Sequence, residues 1–538
     1  MKKLPVTESG FEALRKQNML YVDKTERMLE LIDKGSYLFL SRPRRFGKSL
    51  LINTLKALFE NKKVLFEGLY IYDKWEWEEH GVIHLDFSKI LYRRGIEDFE
   101  NHIKQLFQNI ATSYNLELRE GNYLFQFQSL ISKLYEKFNR GVIVLIDEYD
   151  KPIVDFINEP TKAEENRAFL REFYTTLKAE HAHLRLVFVT GVSKLAKVSV
   201  FSGMNNTLDV SLHPKMNDLV GITYDELVYY FENQIATLQE KNECSREEIL
   251  AKIKYWYNGY SWDGKNKIYN PYAIVNLMDL QEFKNFWFES GTPTLLINLI
   301  IQKAYAGVFK KMPTDYENIE VGGHVFETAE LEHLSVEGLM FQTGYLTITD
   351  IFREDDLIIY RLNYPNYEVR YSFMVHIIEK YAEFPKREIE SGAFKMKRSL
   401  RHENLNDFIA LIQRFFAIIP YHLRKKADEA YYHSILQILF VLVGIEMISE
   451  RAIYDGRIDG VIEYEDKIYI LEFKHSRKGT LKKLANNAME QIKNKQYAKA
   501  YQQTNKRIIL IGIGFLEKNN KKSEEIKLEI DGIWEEVK

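Results

Sequence analysis

Two groups of residues in this chain have the types and spacing to handle phosphate. The first is Gly47-Lys48-Ser49. Glycine lets backbone N–H groups close on phosphate oxygens, a lysine can reach the β- and γ-phosphates, and a serine hydroxyl can ligate Mg²⁺. Asp147-Glu148 belongs with it, at the end of the apolar run Val142 to Ile146. Asp147 would hold the Mg²⁺ shell and Glu148 would orient or deprotonate an attacking water. The second group is Asp459 with Glu472-Phe473-Lys474. Two carboxylates and the backbone carbonyl of Phe473 can ligate a hard divalent cation, Mg²⁺ or Mn²⁺. Such a cation activates water and stabilises charge developing on phosphorus. Lys474 can polarise that water or the phosphate, and Glu429 could add an outer carboxylate.

The elements that must carry these residues are legible in the pattern. Tyr37 to Leu40 is a short apolar strand, followed by SRPRRFGKS and, from Leu50, a helical pattern. Strand, loop and helix are the context a phosphate-binding loop needs. One position departs from G-x-x-x-x-G-K-[ST]: Arg42 stands where the first glycine falls. GVIHLDFS (81–88) and HLRLVFVTG (183–191) read as further buried strands, and TLDVSL (207–212) as a fifth. Thr190, at a strand end, could sense a γ-phosphate; an ordinary turn cap is the alternative. Helices are expected over 98–113, 124–138 and 166–179. In an open parallel sheet, ligands bind at the carboxyl ends of the strands.

Near the C-terminus, 429–444 reads as a buried helix, IEMISERAI as a strand and 457–474 as a hairpin. Alternation puts Glu472 and Lys474 on one face with Ile468 and Ile470. Between Glu472 and Arg507 stand ten Lys or Arg residues against Glu472 and Glu490, a local basic surface suited to a phosphodiester. The middle is less informative. YWYNGYSWDG reads as an aromatic-packed loop with turns at Asn258-Gly259 and Asp263-Gly264. Helices and then two strands, YLTITDI and DLIIYRL joined by FREDD, suggest a winged-helix module. Its acidic tip (Glu354, Asp355, Asp356) favours a clamp on the N-terminal domain over contact with DNA.

The chain has 538 residues, a formal net charge of −3, 46% hydrophobic and 28% charged residues. That composition excludes wholesale disorder and a polycation, so nucleic-acid contact must be local. Cys244 stands alone, which excludes an internal disulfide and a Cys-based zinc site and fits a cytoplasmic protein. The N-terminus lacks a signal-peptide pattern. The apolar run Ile435 to Ile448 is too short and too interrupted to span a membrane.

The chain resembles the bacterial AAA-ATPase-like proteins that carry a C-terminal PD-(D/E)XK nuclease domain. The resemblance rests on YVDKT (21–25), RPRRFGKSLL (42–51), VIVLIDEYDKP (142–152), VTGVSK with FSGMNN, YNGYSWDG, YNPYAI, LMFQTGYLTI and YPNYEVR, and on GRIDG, YILEFK and EQIKNKQYAKAY. RPRRFGKS is the form that family's phosphate loop takes. The resemblance therefore implies an ATP site from Arg42, Pro43, Arg44, Arg45, Phe46, Gly47, Lys48, Ser49 and Leu50, with Thr190. It also implies Gln491 and Tyr497, on the last helix, as further nuclease-site residues. No spacing rule selects an arginine finger among Arg44, Arg45 and Lys194.

The expected architecture is α/β. A P-loop domain (1–215) has a parallel sheet flanked by helices. A helical region (216–325) and a winged-helix-like module (326–400) precede a PD-(D/E)XK nuclease-like α/β domain (401–538). The expected function is ATP binding and hydrolysis coupled to metal-dependent cleavage of DNA, in a protein free to form a homo-oligomer. The alternative is a nucleotide-switched signalling protein whose nuclease-like domain is a non-cleaving platform.

Overall fold

The computed structural model of the protein describes residues 2–8, 10–156, 159–194, 206–289, 316–326, 335–381, 385–418, 436, 440, 447–453, 456–519 and 526–537. These form two compact units, one from the residues up to 289 with Tyr316–Val369, the other from Arg370 onward.

The first unit is built on a parallel five-stranded sheet. Its strands are β1 (Tyr37–Ser41), β2 (Val82–Asp86), β3 (Val142–Asp147), β4 (Leu184–Gly191) and β5 (Leu208–Asp209), in the order β2-β3-β4-β1-β5. Every residue of β1 and β3 is buried, which is why both read as unbroken apolar runs. The helices Ile96–Ser113, Tyr123–Phe138 and Pro160–Ala179 bring their apolar stripes to this core, near the expected bounds. Phe107, Phe127 and Phe173 stack in series, with centroids 4.9 and 4.7 Å apart. Each such ring removes enough apolar surface from water to contribute about 2–3 kcal/mol. The register aligns Leu40 with Thr190 and Asp86 with Asp147, so the polar strand ends share one edge. Of the expected fifth strand only Leu208 and Asp209 pair with β1. Asp209 then accepts the Ser211 N–H, a local turn that ends the strand.

Four helices follow: Tyr224–Tyr230, Glu232–Asn242, Arg246–Tyr257 and Pro271–Leu280. They enclose a second core that includes Leu227, Ile235, Ile253, Tyr257 and Leu277. Thr223 with Glu226, and Ser245 with Glu248, form capping boxes that satisfy the helix starts. The expected hairpin is present as β7 (Thr347–Glu354) and β8 (Leu357–Asn363), and β6 (Ile319–Gly322) pairs with β8. Asp355 turns the hairpin at φ +52°.

The second unit holds a mixed sheet of β9 (Met447–Ile453), β10 (Gly456–Tyr464), β11 (Lys467–Ser476), β12 (Arg507–Asn519) and β13 (Ile526–Val537), in sequence order across the sheet. Only the β11–β12 pair is parallel. The helix Leu481–Asn494 lies on one face through Ala485, Ala488, Met489 and Ile492. Its backbone comes so near β12 that a Cβ at Gly512 would stand 2.6 Å from the Ala485 carbonyl oxygen. The helix Leu405–Ile418 covers the other face, with Phe416 edge-on to Phe515 at 5.5 Å. Most of the helix expected at 429–444, and Glu429 with it, lies outside the described residues.

Candidate functional sites

The segment Arg42–Gly47 links β1 to the helix Lys48–Phe59, as the spacing predicts. Arg45 at φ +66° and Gly47 at φ +92° take left-handed conformations, the kind of alternation that gathers successive N–H groups into an anion nest. The Lys48 ammonium donates to the carbonyls of Arg42 and Pro43, each at 2.9 Å, and so sits inside the loop. Burial pulls its pKa down, while Asp147, Glu148 and Asp150 push it back up. Ser49, Arg44 and Arg45 are exposed and Leu50 is half-buried.

Three other residues of the loop turn their side chains into the protein. Arg42 is fully buried, and its guanidinium donates to the carbonyls of Ser41 (2.9 Å), Ser211 (2.7 Å) and Met216 (3.0 Å). It also lies 3.9 Å from the centroid of Trp262. Burial lowers its pKa to about 9, so it stays a cation at neutral pH. Phe46 is fully buried, edge-on to Tyr260 (4.7 Å) and Trp262 (5.4 Å). Pro43 packs on Gly344, where φ is +91° and a Cβ would stand 2.7 Å from the proline ring. What Arg42, Pro43 and Phe46 offer a nucleotide is therefore backbone. The side chain of Arg42 is an anchor where a minimal phosphate loop has glycine.

The acidic strand end stands beside the loop. Asp147 is buried and accepts the Thr190 hydroxyl at 2.7 Å and its neighbour's N–H at 3.1 Å. The Thr190 hydroxyl proton is thus directed at Asp147. Glu148 has φ +52°, a costly conformation for a non-glycine residue that turns up at functional sites. Burial raises its pKa, with Lys48 acting in the opposite sense. Asp150, outside the expected set, is buried and accepts the N–H of Ser193 (2.8 Å), its hydroxyl (2.7 Å) and the Val192 N–H (3.3 Å). It fastens the acidic turn to the exit of β4. Lys194 is buried and paired with Asp209 at 2.9 Å, so in this state it is not a free cation for a phosphate.

Sequence reading also missed the bracket behind the loop. Tyr260 and Trp262 come from the aromatic string read as a packed loop, which it is, but what it packs on is Phe46 and Arg42. Trp287 donates its indole N–H to the Arg44 carbonyl at 3.0 Å. The only available signal was the density of aromatics over 255–262 and 283–288.

In the second unit, β10 and β11 bring the expected acidic residues together. The Asp459 carboxylate accepts the Phe473 N–H at 2.8 Å, and Lys474 donates to Glu472 Oε1 at 3.1 Å. Glu472 is 1% exposed, and its Oε2 is buried without a hydrogen-bond partner among the described residues. Burial, and next the charge of Asp459, push its pKa up to about 7. An orphaned oxygen beside a second carboxylate is where a divalent cation would be accommodated. Among the described residues no third His, Cys, Asp or Glu completes a cluster, so water or substrate oxygens would fill the remaining positions. Tyr497 differs from expectation in its setting. The helix ends at Asn494, Gln496 turns at φ +51°, and buried Tyr497 lies in a short 3₁₀ turn. That break lets Gln491 Nε2 reach the Tyr497 hydroxyl at 3.4 Å.

The basic surface is smaller than local counting gives. Arg477 pairs with Glu517, Lys493 with Glu535, Lys506 with Glu463, and Arg507 with Glu403 and Glu536. Exposed Lys478, Lys482 and Lys483 follow directly on β11. Among the described residues no helix is long and apolar enough to cross a membrane.

Residues 5–201 match the model of a predicted AAA-ATPase family, and residues 427–525 that of the PD-(D/E)XK nuclease superfamily. Over 526 residues the chain is 34% identical to a protein of Azotobacter chroococcum mcd 1 described as an uncharacterized protein in the vnfD 5′ region, spanning 96% of each chain.

Proposed function

Because the chain belongs to the family of AAA-ATPase-like proteins with a C-terminal PD-(D/E)XK nuclease superfamily domain, we propose that it binds and hydrolyses ATP and uses it to control metal-dependent cleavage of DNA. The observation that carries this is Glu472, buried beside Asp459 with an unpartnered oxygen and a lysine on its other oxygen. A carboxylate is costly to bury in that way unless a cation joins it or it takes up a proton.

At the first site the backbone of 42–47 and Lys48 would cradle the ATP phosphates, and Ser49 and Asp147 would hold Mg²⁺. Thr190 fixes the rotamer of Asp147 through its 2.7 Å hydrogen bond. Glu148, its pKa raised by burial, would accept a proton from the attacking water. At the second site Asp459, Glu472 and the Phe473 carbonyl would hold Mg²⁺ or Mn²⁺, which when bound supplies water activation and charge stabilisation at phosphorus. Lys474 would orient the scissile phosphate. Gln491, steadied by Tyr497, would position the strand or the water. Lys478, Lys482 and Lys483 would follow the DNA backbone. The domain boundaries of this reading are 1–215, 216–325, 326–400 and 401–538, and its compartment is the cytoplasm.

The test is cleavage of supercoiled plasmid with Mg²⁺ or Mn²⁺. Wild type should convert it to nicked or linear form, and Glu472→Ala and Lys474→Ala should not. ATP hydrolysis without cleavage under any condition would sink the nuclease reading and leave the nucleotide-switched platform.

A further inference from the structure

The middle of the first unit holds a buried hydrogen-bonded path that starts at the phosphate loop. The Arg44 carbonyl accepts the Trp287 indole N–H at 3.0 Å. The backbone N–H of the same Trp287 donates to Glu368 Oε1 at 2.6 Å. Trp287 is 6% exposed and Glu368 1%. Glu368 lies in the first turn of the helix Tyr367–Tyr381, whose start Asn366 caps by accepting the Val369 N–H at 3.1 Å. The chain passes into the second compact unit at Arg370, within that same helix.

The peptide geometry gives this path a purpose. The carbonyls of Arg42 and Pro43 face the Lys48 ammonium, whereas that of Arg44 faces Trp287. In a planar trans peptide C=O and N–H point in opposite directions. Fixing the Arg44 carbonyl on the indole therefore fixes the Arg45 N–H on the other side, and the left-handed turn at Arg45 continues from that peptide. The Lys48 ammonium gives two of its three N–H donors to these carbonyls and has the third to offer a phosphate. Two side chains are among the loop's hydrogen-bonded anchors, the buried Arg42 guanidinium and the Trp287 indole. Arg42 is bound to three carbonyls. The Trp287 backbone N–H donates to a carboxylate at a helix start, where an anion is favoured.

We propose that Trp287 and Glu368 are positioning residues that set the Arg44–Arg45 peptide for phosphate and pass nucleotide occupancy to the helix Tyr367–Tyr381. This rests on the reading of the loop as an ATP site and names the route by which that site would exert control. Trp287→Phe keeps the ring and loses the donor. Glu368→Gln keeps an acceptor oxygen and Glu368→Ala removes it.

The experiment is hydrogen exchange of the amides of 367–381 in the full chain, with and without ATP–Mg²⁺, alongside nucleotide affinity. In wild type, ATP should change exchange in that helix about tenfold or more. Trp287→Phe should bind ATP about fivefold to tenfold more weakly, the worth of one hydrogen bond. At saturating ATP its helix should no longer respond. Glu368→Ala should behave likewise and Glu368→Gln should retain the response, which separates positioning from a general loss of fold. A wild type that binds ATP with exchange in 367–381 unchanged overturns the proposal, as does a full response in both Trp287→Phe and Glu368→Ala. Failure to bind ATP overturns the proposal and its premise together. An intact helix response with cleavage indifferent to ATP upholds the route and sinks only the control of cleavage.

Discussion

The loop of 42–47 leaves the carboxyl end of a parallel strand, whereas Asp459 and Glu472 lie within two adjacent strands of a sheet, and the two sites are assembled from different distances along the chain. At the second site every positioned group falls between Asp459 and Tyr497, and the contacts are those of adjacent strands and the next helix. At the first, the loop of 42–47 is fixed from behind by Ser211, Met216, Tyr260, Trp262, Trp287 and Gly344. The difference separates two ways of building a candidate site. One draws its chemistry from neighbouring strands of a hairpin. The other suspends a backbone loop from remote segments, so its shape can depend on what those segments do.

Four tests would break or sharpen that contrast. The largest effect belongs to the local site. Glu472→Ala should reduce plasmid cleavage by about 10³-fold or more, because the cation loses a ligand. Calorimetric Mn²⁺ binding should fall with it. Lys48→Ala should slow ATP hydrolysis by about 10²–10³-fold, the range for removing one charge-stabilising group, with phosphate release as the assay.

Third, Arg42→Met should destabilise the first unit by about 2–4 kcal/mol in denaturant unfolding, since it strips three buried carbonyls of their donor. Lys474→Met should cost less than that, because buried Glu472 can take up a proton when its lysine is removed, while cleavage is lost. Equal destabilisation by the two would dissolve the contrast.

The fourth is a pH dependence. Glu472 is pushed up to about 7 from 4.5, by burial first and by Asp459 second. A raised carboxyl pKa contributes stability that is fully present below the unfolded value and is lost as pH rises through the folded one. The metal-free second unit should therefore melt higher at pH 5.5 than at pH 8, and Glu472→Gln should remove that part of the slope. Mn²⁺ needs the ionised form, so its affinity should climb up to about tenfold per pH unit towards 7 and then level off. A flat profile across pH 5–8 would count against a protonated, buried Glu472.

How much of this was readable in the sequence follows the same division. The fully buried strands β1 and β3 show as apolar runs with polar ends, so Lys48, Asp147 and Thr190 could be placed at one edge before any coordinates. Period-two alternation put Glu472 and Lys474 on one face, and they are hydrogen-bonded. What stayed hidden depends on long-range contact. Nothing in RPRRFGKS says that Arg42 turns inward to Ser211 and Trp262. Nor does a lysine run say that Lys493 and Arg507 meet Glu535 and Glu536 from the last strand. Tyr497 left its expected helix because Gln496 takes a left-handed turn, which its residue type does not announce.

The central claim is that nucleotide at the first site controls cleavage at the second. It is tested most directly by the rate of plasmid cleavage in Mg²⁺ as ATP is titrated, for wild type and Lys48→Ala side by side. The account predicts that ATP changes the wild-type rate and leaves that of Lys48→Ala flat. A Lys48→Ala protein that cleaves with the same ATP dependence as wild type would contradict it.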